Sequence, residues 1–145
     1  MYRNILLALH IASVAAWLGC NFTQLFLTRS FAARGGDAAV AWFEATSRLA
    51  RRYYNVFGIA LGVTGVLLVR HAGYSWSAGF VMVGITVVAI GALLGVAFFA
   101  PDGTRLAATQ SAGGRPNVGR YLTMVVVDTT LVLTAVLAMV AKWRP

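Results

Sequence analysis

The sequence predicts an all-α polytopic membrane protein: an antiparallel bundle of four transmembrane helices, with an interfacial amphipathic helix before the second span. Three observations carry that prediction. Four long apolar stretches, at 4–27, 53–69, 76–100 and 119–141, take up most of the 145 residues. Each approaches the roughly 20 apolar residues that a helix needs to cross a hydrocarbon core about 30 Å thick. The composition agrees, at 59% hydrophobic and 11% charged residues, with a mean hydropathy of +0.76. What lies between the stretches is too short for a soluble domain, so residues 1–145 read as one integral membrane domain.

The first span carries His10, Trp17, Asn21 and Gln24 at spacings of seven, four and three, with Thr28 continuing the line. Those spacings place them on one helical face, while the other faces carry residues suited to lipid. Span one therefore turns a polar stripe toward partner helices. Gly19-Cys20 would suit lipoprotein processing if small residues preceded it. Trp17 and Leu18 stand there instead, and the apolar run continues to Leu27, so the segment reads as an uncleaved helix. Cys20 is the single cysteine, which excludes an intrachain disulfide and any thiol oxidoreductase built on cysteine pairs.

Between spans one and two, Gly35-Gly36-Asp37 reads as a turn with Asp37 as helix N-cap. From Ala38 a helical pattern follows, with Trp42, Leu49 and Tyr53 on one face and Glu44 and Arg48 as an i,i+4 pair on another. Arg48, Arg51 and Arg52 would meet anionic headgroups as this helix lies on the bilayer and turns into span two. A lipid anchor and a docking patch for a protein partner are the two readings of that basic surface.

Span two then presents Asn55, Gly58, Gly62 and Gly65 on one face, and span three repeats the device with Gly84, Gly91 and Gly95. Small residues of this kind let another helix approach closely, or leave room for a flat ligand. Association with partner helices or with a second copy is the expectation. The connection 101–118 is rich in turn formers, from Pro101-Asp102-Gly103 to Gly113-Gly114, and reads as a mobile loop. Tyr53, Tyr54, Trp76, Tyr121 and Trp143 stand at span ends, as aromatic belt residues do.

The net charge of +8 would suit nucleic-acid binding in a soluble protein. Here the basic residues border the spans, so lipid explains them and no nucleic-acid partner is expected. Arg29, Arg34, Arg48, Arg51, Arg52, Arg105, Arg115 and Arg120 lie beside the two long connections; Arg3, Arg70, Lys142 and Arg144 lie on the side of the termini. The positive-inside rule then puts the connections in the cytoplasm and both termini outside.

Span four carries Asp128, the one acid deep in a span, with Tyr121 a heptad before it. A carboxylate near the bilayer centre costs about 2.5–3.5 kcal/mol even on lenient scales, so it must be paired or face a polar cavity. Helical rise places Asp128 level with Trp17 and within a turn of Asn21. A structural hydrogen bond to Asn21 or a threonine is one reading, and proton transfer or cation binding the other. Asn21, Gln24, Asn55 and Asp128 form the expected intramembrane polar cluster. His10 lies shallower, and an inward-facing histidine is the residue best able to ligate haem iron from a membrane helix. His71, just past span two, is too shallow to be its partner. No metal-type His/Cys cluster, nucleotide-binding glycine loop or Ser-His-Asp arrangement is present.

The segment Leu9-His10 through Trp17-Leu18-Gly19 resembles the LHxxxxxxWxG opening of several small bacterial membrane families. These include copper-resistance protein D-type domains, HemJ-type protoporphyrinogen oxidases and uncharacterised four-helix families. The likeness extends to the basic helix before span two and to Thr64-Gly65. It implies a bacterial inner (plasma) membrane location and, by the HemJ-type likeness, haem b at His10 with Trp17 packing on the macrocycle. The aromatic-Leu-Pro-Arg continuation and later lysine of the HemJ-type proteins are missing, which argues against protoporphyrinogen oxidation. Two functions follow as expectations. One is a non-enzymatic subunit or accessory of a larger membrane complex or transport system; the other is a b-type haem-binding redox protein using His10.

Overall fold

A computed structural model describes residues 1–142 of the chain, so Trp143 and Arg144 lie outside the described residues. Six α-helices follow one another: α1 (Tyr2–Arg34), α2 (Gly36–Arg48), α3 (Tyr54–Ala72), α4 (Gly79–Leu94), α5 (Ala100–Ser111) and α6 (Gly119–Ala141). Single π-helical turns, Leu49–Tyr53 and Gly95–Phe99, join α2 to α3 and α4 to α5. The result is four continuous rods, Tyr2–Arg34, Gly36–Ala72, Gly79–Ser111 and Gly119–Ala141, each long and apolar enough to cross a bilayer. This is an all-α four-helix bundle and a multi-pass membrane protein.

The bundle is up-down-up-down. In its membrane half α1 packs on α3 and α6, and α4 packs on α6. The α3–α4 side is looser. At the other end α2 and α5 pack side by side as a pair that extends the bundle, the most extensive helix contact among the described residues. Ala39, Phe43, Thr46 and Ser47 are the buried face of α2. The amphipathic helix before span two is therefore present, with its buried face covered by α5. Glu44 and Arg48 form the expected pair at 3.8 Å, both exposed.

Several local expectations are corrected. The segment read as a mobile loop from 101 is helical to Ser111. Pro101 sits in the first turn of α5, where a missing N–H costs least, directly after a π-helical turn that already interrupts the regular ladder. Gly103 is the reason α5 can close on α2. A Cβ there would lie 3.1 Å from the Ser47 backbone N and 3.2 Å from the Phe43 carbonyl. Asp37 is not an N-cap: Gly35 holds that position and α2 starts at Gly36, two residues earlier than expected, so Asp37 falls in the first turn. The positive φ of both glycines, 68° and 56°, reverses the chain where a side chain would be strained.

Candidate functional site

The polar stripe of α1 meets its partners in the middle of the bundle. Trp17 Nε1 donates to Asp128 Oδ2 at 2.8 Å, and Asn21 Nδ2 donates to the same oxygen at 2.7 Å. With its amide nitrogen committed to Asp128, Asn21 must receive a proton at Oδ1, and the Tyr54 hydroxyl supplies it. That hydroxyl then accepts from Gln24 Nε2 at 2.8 Å. Gln24 Oε1 accepts in turn from the Tyr121 hydroxyl. Every donor in the chain Tyr121–Gln24–Tyr54–Asn21–Asp128 thus points toward the carboxylate. The five side chains come from α1, α3 and α6 and are all buried, so the network ties three spans together along about two turns of α6. Asp128 Oδ1 has no hydrogen-bond partner.

The sequence placed Asn21, Gln24 and Asp128 in this cluster. Asn55 is outside it: its side chain is exposed and its amide donates to the Arg51 carbonyl of its own helix at 2.6 Å. Tyr54 and Tyr121, read as belt residues, are instead two of the network's links, 7% and 1% exposed. The heptad between Tyr121 and Asp128 was the available signal. Asp102 was also missed; it is buried near the α2–α5 contact and pairs with Arg105 at 2.7 Å, its other oxygen unpartnered.

His10 belongs to a second arrangement nearer the termini. Its Nδ1 lies 3.0 Å from Thr64 Oγ1. The single hydroxyl hydrogen of Thr64 is directed to the Ala60 carbonyl at 2.6 Å. Thr64 therefore accepts from Nδ1–H, which leaves Nε2 as the ring nitrogen not engaged by Thr64. Gly65 allows this approach: a Cβ there would stand 3.3 Å from the imidazole Cε1. His10 lines a cavity of about 600 Å³ that runs from Arg3, Tyr74, Trp76 and Lys142 down to His10 and Trp17. Its walls are otherwise mainly valine, leucine, glycine and alanine. His71 does not reach it; it is exposed, with its ring edge-on to Tyr2 at 5.5 Å.

The glycines divide by what they meet. Gly58 and Gly91 flank the Trp17 ring, Gly65 meets His10 and Gly84 meets Met139. Gly62 meets nothing within 4 Å. Gly58, Gly62, Gly91 and Gly95 line a groove of about 510 Å³ between α3 and α4. Trp17, Gly62, Val66, Val88 and Ala92 border both the groove and the cavity, so Trp17 stands at their junction. Its orientation there is set by Asp128 at the indole N–H and by an edge-on contact with Tyr54 at 5.6 Å.

Compared with known proteins, the chain matches no family model, no curated protein and no solved structure. The described residues hold no group of three or more His, Cys, Asp or Glu side chains suited to a metal ion.

Proposed function

We propose that the protein is a b-type haem-binding redox protein of the bilayer, with His10 Nε2 as the iron ligand. The observation that supports this most is the pairing of His10 Nδ1 with Thr64 on the wall of a cavity of about 600 Å³. Metal-ligating histidines almost always donate their other ring N–H to a fixed acceptor, which orients the ring and raises its basicity. Thr64 is such an acceptor. The volume falls in the range of about 300–1,000 Å³ common for ligand sites, and the lining is apolar, as a macrocycle requires. Haem b, when bound, supplies one-electron chemistry. The chain's own residues orient the imidazole, exclude water with the aliphatic wall and keep Trp17 in place through Asp128. The LHxxxxxxWxG resemblance of α1 to HemJ-type proteins supports the same reading.

The location that goes with it is a bacterial inner membrane with both termini outside. The α2–α5 pair is then cytoplasmic, and Arg48, Arg51 and Arg52 meet anionic headgroups. The exposure of Arg48, Arg51 and Arg52 favours this.

The test is the visible spectrum of the purified protein after expression with haem supply and after haemin addition. A Soret band that disappears in His10→Ala, while the variant still elutes as a folded species, is the expected result. A wild-type protein that stays colourless in both preparations refutes the haem reading. It would favour the second one, a non-enzymatic subunit or accessory of a larger membrane complex or transport system. The glycine-lined α3–α4 groove supports that alternative, because small residues are how membrane helices admit a neighbour.

A further inference from the structure

The cavity beside His10 is polarised along its length. Its deep end is walled by aliphatic side chains and glycine, whereas its mouth carries two cations, Arg3 from the first turn of α1 and Lys142 at the C-cap of α6. Arg3 precedes His10 by one heptad. It therefore stands on the same face of α1, about 10 Å nearer the helix end. Both cations are exposed.

None of the four acidic side chains is placed to neutralise them. The four are Asp37, Glu44, Asp102 and Asp128. The first three belong to the α2–α5 end of the molecule, and Asp128 is enclosed by Trp17 and Asn21. Two like charges at the rim of an apolar cavity focus a positive potential on its opening and raise the local concentration of anions.

We infer that Arg3 and Lys142 form a carboxylate-holding rim, and that the occupant of the cavity is an amphiphile bound acid end outward with its apolar body reaching His10. The inference rests on the haem reading where it names haem b. Haem b carries both propionates on one edge of an otherwise apolar macrocycle. The same chemistry would hold the carboxylate of a long-chain fatty acid. Charge-assisted hydrogen bonds to carboxylate are about twice as strong as neutral ones. Esterifying the acid should therefore weaken binding by at least about tenfold, equivalent to 1.4 kcal/mol.

The experiment uses the full chain in nanodiscs of zwitterionic lipid. Haem b, haem b dimethyl ester and a fluorescent fatty acid with its methyl ester are titrated against wild type and the Arg3→Gln/Lys142→Gln double variant. Wild type is expected to favour each acid over its ester by about tenfold or more. The double variant should bind acid and ester alike, by weakening the acid only. Arg3→Lys should retain the preference, and His10→Ala should abolish the haem spectrum while leaving the fatty-acid preference intact. If neither haem form binds but the fatty acid shows this dependence, the haem reading fails and the rim stands. Equal affinity of wild type for every acid and its ester, or a preference that survives the double variant, overturns the rim.

Discussion

Asp128 receives two hydrogen bonds on one oxygen and none on the other, in a position 1% exposed. Interhelical hydrogen bonds in bilayers are individually modest, about 0.6 kcal/mol on average and up to about 1.7. The larger cost comes from leaving a buried donor without a partner. Asp128→Leu strands the Trp17 indole N–H and the Asn21 amide together, and should destabilise the bundle by about 1–3 kcal/mol in a denaturing-detergent titration. Asp128→Asn keeps an acceptor oxygen for both donors and should stay within about 1 kcal/mol of wild type. If the amide proves as costly as leucine, it is the charge that the network serves, and the proton- or cation-linked reading of this residue gains the advantage. His10 differs in kind. Its partner Thr64 leaves one ring nitrogen free on a cavity wall, so its loss should change the spectrum before it changes the fold.

At the scale of elements, glycine has two distinct jobs here, and spacing alone does not separate them. Gly103 is pressed against the backbone of α2, where neither Ser47 N nor the Phe43 carbonyl can move aside without shifting the helix. Gly103→Ala should therefore loosen the α2–α5 pair by about 1–3 kcal/mol, read as lower thermal stability and faster proteolysis near Gln110. Gly62→Ala meets open space in a helix interior. It should be neutral or stabilising by about 0.5–1 kcal/mol, from better helix propensity. A result in which both alanines cost the same would mean that the groove closes on Gly62 in the bilayer. The π-helical turn Gly95–Phe99 explains why one apparent loop is helical: it lets the rod continue past Pro101, which would otherwise end it.

For the whole molecule, the arginines concentrate at the α2–α5 end and beside it, and the positive-inside rule applied to them is the basis of the proposed orientation. Cys20 is buried and should give little background in thiol labelling. Single cysteines introduced at Ser75 and at Ala112, both in exposed turns at opposite ends, test the orientation directly. Ser75→Cys should react with an impermeant maleimide in intact spheroplasts, and Ala112→Cys only after lysis. The reverse pattern would place the termini in the cytoplasm.

The number of spans, the apolar and polar faces of α1 and the depth match of Trp17, Asn21 and Asp128 were legible in the sequence. All three follow from constraints that act within one helix: hydrocarbon thickness, the 3.6-residue period and the cost of an unpaired polar group in lipid. The roles of Tyr54, Tyr121 and Thr64 were not legible, nor was the exclusion of Asn55. Those depend on how far each neighbouring helix is rotated about its axis and how deep it sits, quantities that no single-helix period contains. A tyrosine at a span end looks the same whether it points to headgroups or, as Tyr121 does, to the glutamine of another helix. Tertiary packing decided that. It also set α3 and α4 apart, opening between them the space that Trp17 and, nearer the termini, His10 line.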